Sequence, residues 1–333
     1  MVGDNAYVFA IWYTQTRDRT VAWVANRDHP VNGRDSRLLL RKDGNLLLSD
    51  ADGSILWSTN TGSNSNVKEA ALLETGNLVL RGFSGDYVWE SFQYPTDTLL
   101  PQEPLGNNMQ LISRLGKGTF KRGYYRLYSD SSSILRLSYD DGSGLKHNYG
   151  PYGAQNTLYV QAMLNASGNF RSNDGFNIAA SDYGEGPKRR LTLDIDGNLR
   201  LYSLVEEKGT WTIVWMAVSD QCAVHGFCGM YGLCIYTPKP SCTCPPGFHM
   251  KDSTSWFQGC QRNQELNGHS ASSTKLLHLP HTNYPDFDLS RLVEHTLEEC
   301  KFVCMNDSRC EGFVYITDGT GLCFPKYLLI NGF

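Results

Sequence analysis

The sequence predicts a mainly β protein with a disulfide-stapled C-terminal third, and three observations carry that prediction. Helical periodicity is nearly absent from the first 215 residues, which instead show short alternating runs rich in Leu, Val, Tyr and Trp separated by Gly, Asn and Asp. A turn-and-strand unit recurs at a fixed spacing. All ten cysteines lie between Cys222 and Cys323.

The turns come first, because Asp43-Gly44-Asn45, Asp52-Gly53 and Asp196-Gly197-Asn198 place residues tolerant of positive φ between apolar runs, as tight hairpins demand. The unit Asp43-Gly44-Asn45-Leu46-Leu47-Leu48 returns 32 residues later as Thr75-Gly76-Asn77-Leu78-Val79-Leu80. The tryptophans keep the same beat: Trp23, Trp57 and Trp89 are 34 and 32 residues apart, so three short sheets each give one large aromatic to a shared core. A third copy, Asp196-Gly197-Asn198-Leu199-Arg200-Leu201, followed by Trp211 and Trp215, stands too far downstream for the same array and implies a second domain of the same kind.

Between Cys222 and Cys260 six cysteines are separated by 5, 5, 7, 1 and 15 residues, with Gly226, Gly229, Gly232, Pro245, Pro246 and Gly247 among them. Such a piece has too little apolar content for a core of its own, so bridges must hold it. Six cysteines allow 15 pairings on spacing alone. Reduced thiols of a cytosolic protein are the weaker reading, since no C-x-x-C pair is offered for zinc; oxidised cysteines place the chain in an oxidising, extracellular compartment. Gln261 to Ser273 reads as a polar linker. Thr296-Leu297-Glu298-Glu299 is a capping box ahead of Cys300 to Met305, the one clear helix signal, and it sets Cys300 and Cys304 on one helical face. A staple to neighbouring strands, using Cys310 and Cys323, suits that geometry.

Thirty basic and 34 acidic residues give a net charge of -4, with no basic face, which argues against a nucleic-acid partner. No run approaches the ~18 apolar residues of a membrane span, so any membrane attachment is expected from segments outside this sequence. The start lacks a basic n-region and a small-residue cleavage site, and the sequence reads as truncated there and at Asn331-Gly332-Phe333. Asn165-Ala166-Ser167 and Asn306-Asp307-Ser308 are glycosylation sequons for a secreted chain.

Catalytic signatures are missing: there is no G-x-G-x-x-G, Walker loop, H-E-x-x-H or G-x-S-x-G. His278 and His281 lie in a Pro-bounded extended stretch without ligand partners, and Glu206-Glu207 and Glu298-Glu299 read as solvent-facing or helix-start carboxylates. Asp194, Asp196 and Asn198 lack the Gly and Glu that a calcium loop needs, since Leu199 and Val205 stand there. No catalytic residue, cofactor or metal is assigned.

Four longer stretches carry a family resemblance: Thr20-Val21-Ala22-Trp23-Val24-Ala25-Asn26-Arg27-Asp28, Asp43-Gly44-Asn45-Leu46, Glu74-Thr75-Gly76-Asn77-Leu78-Val79-Leu80, and Trp89 through Pro101, which reads WESFQYPTDTLLP. They resemble a bulb-type (G-type) lectin domain. Leu191 to Arg262 resemble the S-locus glycoprotein segment running into an EGF-like module, and Lys275 to Phe333 resemble a PAN/apple domain; the order is that of plant S-domain receptor-like kinases. The resemblance implies two β-prism lectin domains, 1–105 (its start truncated) and 106–217, an EGF-like module at 218–262 and a small α+β PAN/apple domain at 274–333 (its end truncated). It implies the pairs Cys222 with Cys234, Cys228 with Cys242, Cys244 with Cys260, Cys300 with Cys323 and Cys304 with Cys310.

In that family mannose is held by Q-x-D-x-N-x-V-x-Y, and every copy here has decayed. The first keeps Asp43 and Asn45 but has Arg41 and Ser49 at the Gln and Tyr positions; the second keeps Asn77 and Val79 but has Leu73, Thr75 and Arg81. The third keeps Asp196, Asn198 and Tyr202, with Asp194 for Gln and Arg200 for Val. A buried hydroxyl without its partner costs ~1–3 kcal/mol, so two or three lost contacts remove a weak sugar affinity; Asn and Gly as plain turn residues is the favoured reading. The function implied is extracellular recognition by a receptor that binds a peptide, small molecule or glycan, or forms a homo- or heterodimer, at the plasma membrane, with the Ser/Thr kinase absent from this chain. The other reading is a soluble mannose-type lectin; the PAN-like segment favours the receptor.

Overall fold

The computed structural model describes residues 5–63, 66–140, 142, 146–150, 157–236, 238–263 and 276–333. Most of the linker expected at Gln261 to Ser273 lies outside them. The chain is mainly β, with one α-helix among the described residues, and divides into two compact units, 1–219 and 220–333.

The first unit is built from antiparallel sheets arranged as two prisms. In the first prism, Arg37–Leu40, Leu46–Ser49 and Ile55–Ser58 form one three-stranded sheet, and Val67–Leu72, Leu78–Gly82 and Tyr87–Glu90 another. The third side consists of two ribbons, Ala10–Trp12 with Val21–Val24 and Ala6–Tyr7 with Val31–Asn32. The repeat spacing brings its tryptophans together as an edge-to-face triangle: Trp23, Trp57 and Trp89 have ring centroids 5.9–6.1 Å apart, the geometry that aligns ring edges with ring faces. Leu46, Leu78 and Leu80 fill the space around them, and the Trp23 Nε1–H donates to the Tyr94 carbonyl at 2.9 Å. Leu38, Leu39 and Leu40, by contrast, are exposed along the edge strand of their sheet.

Three four-stranded sheets form the second prism. One of them joins Thr98–Leu99, Arg189–Leu193, Leu199–Val205 and Thr210–Met216 in that order. Its first strand comes out of the WESFQYPTDTLLP stretch, so that stretch hands the chain from one prism to the other. The seam is polar. Arg27, buried, donates to the carbonyls of Phe120, Ile112 and Ser113, each at 2.9 Å. Arg114 reaches Asp97 at 2.5 Å and the Val21 carbonyl at 3.0 Å. Burial lowers the Arg27 pKa while Asp97 works to raise it; a planar fork with several donors is the side chain suited to such a place.

The second unit has little apolar core and is held by five bridges: Cys222–Cys234, Cys228–Cys242, Cys244–Cys260, Cys300–Cys323 and Cys304–Cys310. Its helix, α1, spans Leu297–Asn306 and opens on the Thr296–Glu299 capping box, the Glu299 N–H donating to Thr296 Oγ1 at 3.2 Å and the Thr296 N–H to Glu299 Oε2 at 2.7 Å. Cys300 and Cys304 are its buried residues, and the helix lies against the hairpin Gly312–Ile316 and Leu322–Lys326. The last residues turn back into the cystine cluster. Gly332 accepts from the Cys234 N–H at 2.6 Å, Phe333 packs on Cys222, Cys228 and Cys234, and Asn331, 1% exposed, donates its Nδ2 to the Cys222 carbonyl at 2.6 Å while its Oδ1 accepts from the Cys228 N–H at 2.7 Å.

Candidate carbohydrate-binding sites

Each copy of the repeated motif begins as a turn closed by a side chain. The Asn45 N–H donates to Asp43 Oδ1 at 3.0 Å, the Asn77 N–H to Thr75 Oγ1 at 3.4 Å and the Asn198 N–H to Asp196 Oδ1 at 3.2 Å. Asp, Asn and Thr favour such turns because their short side chains reach backbone two residues on. Gly44, Gly76 and Gly197 take the positive φ that the middle of the turn requires, 87°, 88° and 80°.

The asparagine amides then turn inward. Asn45 Oδ1 accepts from Thr59 Oγ1 at 3.0 Å. Asn77 Oδ1 accepts from Ser91 Oγ and the Phe92 N–H, both at 3.2 Å, and its Nδ2 donates to Glu90 Oε2 at 2.7 Å. Asn198 forms a closed pair with one residue, Nδ2 to the Val218 carbonyl at 2.7 Å and Oδ1 from the Val218 N–H at 3.1 Å. In all three places the amide pins the chain that returns after the next strand, and Asn77 and Asn198 are buried. Val79 is fully buried and contributes to the core.

The three surfaces differ in what stands outside the asparagine. At the first, Asp43 is 3.4 Å from Arg41, an exposed pair, and Ser49 offers only a short hydroxyl. At the second, Arg81 pairs with Glu69 at 3.0 Å. At the third, the positions Asp194, Asp196, Arg200 and Tyr202 converge. Arg200 sends Nη1 to Asp194 Oδ2 at 2.7 Å and to Asp196 Oδ1 at 2.8 Å, and Nη2 to Asp196 Oδ2 at 2.7 Å; the Tyr202 hydroxyl donates to Asp194 Oδ2 at 2.6 Å. Arg190 lies over the Tyr202 ring, 4.0 Å from its centroid, and over Trp211 at 4.7 Å.

The electrostatics follow from this crowding. Burial pushes the Asp194 carboxyl above its ordinary value, opposed by the bonds from Tyr202 and Arg200. Burial raises the Tyr202 hydroxyl, and the Asp194 charge adds to it. For Arg200 burial works downward, but Asp196 and Asp194 outweigh it and hold the guanidinium charged. The polar groups at motif positions are thus satisfied by one another. Arg200, at the start of its strand, reaches back over the hairpin turn to the two aspartates within it, a charge-assisted pairing that closes the turn on itself.

Domain families match the chain in order. The D-mannose binding lectin family matches residues 20–115, the S-locus glycoprotein domain 147–252 and the PAN-like domain 268–327. A Zea mays protein described as receptor protein kinase ZmPK1 is 38% identical over 99% of this chain. The chain carries the lectin, S-locus glycoprotein and PAN-like domains of G-type lectin S-domain proteins. Two Arabidopsis thaliana proteins described as G-type lectin S-receptor-like serine/threonine-protein kinases, one of them SRK, are 29% and 28% identical over 96% and 94% of this S-domain. The S-domain spans about two fifths of the length of these relatives: 42%, 41% and 39%. No helix among the described residues is long and apolar enough to cross a membrane.

Proposed function

We propose that this S-domain is the extracellular ligand-recognition part of a plant receptor-like Ser/Thr kinase, acting at the plasma membrane by binding a ligand, a partner receptor or both. The observation that carries the reading is that near-complete coverage of the chain falls on one region of proteins described as receptor kinases, with lectin, S-locus glycoprotein and PAN-like domains in order. Ten cysteines in five bridges support an oxidising compartment.

Recognition in this reading does not run through the mannose motif. Asn45, Asn77 and Asn198 are spent on holding strands, and Arg200 fills the third site. Ligands of peptide, small-molecule or glycan type bind elsewhere on the S-domain, and dimer formation with another receptor is a further use of the same surface.

The test is to express the gene's whole reading frame with a fluorescent tag in leaf cells and to treat intact cells with a non-permeant protease. Signal at the cell boundary, with cleavage of the S-domain from outside, is expected. A tag that fills the cytosol with the S-domain protected would overturn the proposal.

A further inference from the structure

Helix α1 buries Cys300 and Cys304 on one side. Its opposite side is apolar where solvent is expected: Phe302 is 71% exposed and Met305 49%. A helix advances 100° per residue at 3.6 residues per turn, so Phe302 points almost directly away from the two cystine sulfurs and Asn306 stands about 40° from it, one turn and about 6 Å further along. Residues four apart share a face, and helical side chains lean toward the N-terminus, here from Asn306 toward Phe302. The structure places them accordingly, with Asn306 Nδ2 donating to the Phe302 carbonyl at 2.8 Å.

Asn306 is also the first residue of Asn306-Asp307-Ser308, and Asn306 and Ser308 are exposed. The helix ends here in a turn that presents the sequon: Asp307 Oδ1 accepts from the Arg309 N–H and Nε at 3.0 Å each, and the Cys304–Cys310 bridge closes the loop. The nitrogen that would carry a sugar thus lies on the backbone of Phe302, one turn along the same face from a ring that is 71% exposed. The patch is small. Phe302 and Met305 together offer roughly 250 Å² of exposed side chain, taking the area of a large side chain as about 150–250 Å², against the ~800 Å² per partner of a stable protein interface.

Resting on the extracellular reading above, we infer that an N-linked glycan on Asn306 folds back over Phe302 and Met305 and serves as the missing cover of α1. The C–H-bearing face of a pyranose is apolar and electropositive and seats on the negative face of an aromatic ring. The Glu298–Lys301 ion pair at the rim, 2.6 Å, offers charged partners to sugar hydroxyls. The glycan is thereby a structural part of the second unit as well as a solubilising attachment.

The test uses the full chain secreted from plant cells, with Ser308→Ala to remove the sequon while leaving Asn306 and its hydrogen bond intact, and Phe302→Ser to remove the ring. Glycopeptide mass spectrometry is expected to find Asn306 occupied. Ser308→Ala is expected to lower the melting temperature by about 4 °C and to raise binding of a hydrophobic dye severalfold, and to do less than half of this in the Phe302→Ser background. Equal effects in both backgrounds would overturn the inference, as would an empty Asn306 beside an occupied Asn165, a result that leaves the extracellular reading standing. Both sequons empty with free thiols would overturn that reading, and the inference with it.

Discussion

Arg200 forks onto Asp196, two guanidinium nitrogens meeting two carboxylate oxygens at 2.8 and 2.7 Å, and the same Nη1 holds Asp194. Bidentate, partly buried pairs of this kind are the strong ones. The fork fills the one copy of the motif that keeps three family residues. Calorimetric titration with methyl mannoside is therefore expected to show no binding tighter than about 1 mM, equivalent to roughly -4 kcal/mol. Arg200→Val should cost about 1–3 kcal/mol of stability, because it takes the bidentate partner from Asp196 and a hydrogen bond from Asp194. A sub-millimolar affinity in the unaltered chain, abolished by Asn198→Ala, would contradict this account.

Glu103 gives a pH dependence with a definite sign. It is buried in the first unit with Oε2 accepting from the Leu100 N–H at 2.8 Å, and burial pushes its pKa up to about 8 against that bond. A carboxyl raised on folding stabilises the fold fully below its unfolded pKa, and that contribution is lost as pH rises from about 4.5 to about 8. Glu103→Gln should thus gain on the unaltered chain across this window, by on the order of 2–4 kcal/mol at its upper end. Melting curves at pH 5 and pH 8 check it; a difference that does not grow with pH refutes it.

Asn331 combines a left-handed backbone, φ 52°, with two buried hydrogen bonds to the cystine cluster. Asn331→Ala should lose both bonds and strain the backbone, costing about 3 kcal/mol. Asn331→Gly keeps the backbone and loses the bonds, and should fall between. Chemical denaturation would rank the three, and an alanine variant as stable as the parent would mean that the two Asn331 bonds contribute nothing.

Reduction should separate the two units. No cysteine precedes Cys222, so dithiothreitol cannot act on the prisms, whereas loss of one native bridge in a small secreted domain typically costs about 2–5 kcal/mol. Limited proteolysis after reduction is expected to degrade 220–333 and to leave a resistant fragment close to 1–219. Thiol counting on denatured, unreduced protein should find none free, and several free thiols would speak against the oxidised state.

The tryptophan spacing and the Asp-Gly-Asn turns made the prism legible, because a β-hairpin repeat fixes both the turn residue and the side chain that faces inward. The capping box at Thr296 located the helix for the same reason: its signal is local. Pattern alone did not reveal that Leu38, Leu39 and Leu40 lie exposed on an edge strand, since a run of three leucines reads as core until the neighbouring sheet is known. Nor could it show what the motif asparagines hold. Thr59, Ser91 and Val218 stand 14, 14 and 20 residues away, and no periodicity links an amide to the strand that returns to it. Arg27 likewise meets its carbonyls 85 to 93 residues on.

The bond from Asn331 to the Cys222 carbonyl sets the first and last stretches of the second unit side by side. A change at Asn331 is therefore felt 109 residues earlier in the chain, at the bridge that opens the cysteine-rich unit. Recombination breakpoints between residues 222 and 331 would separate Asn331 from the cystines whose backbone it holds.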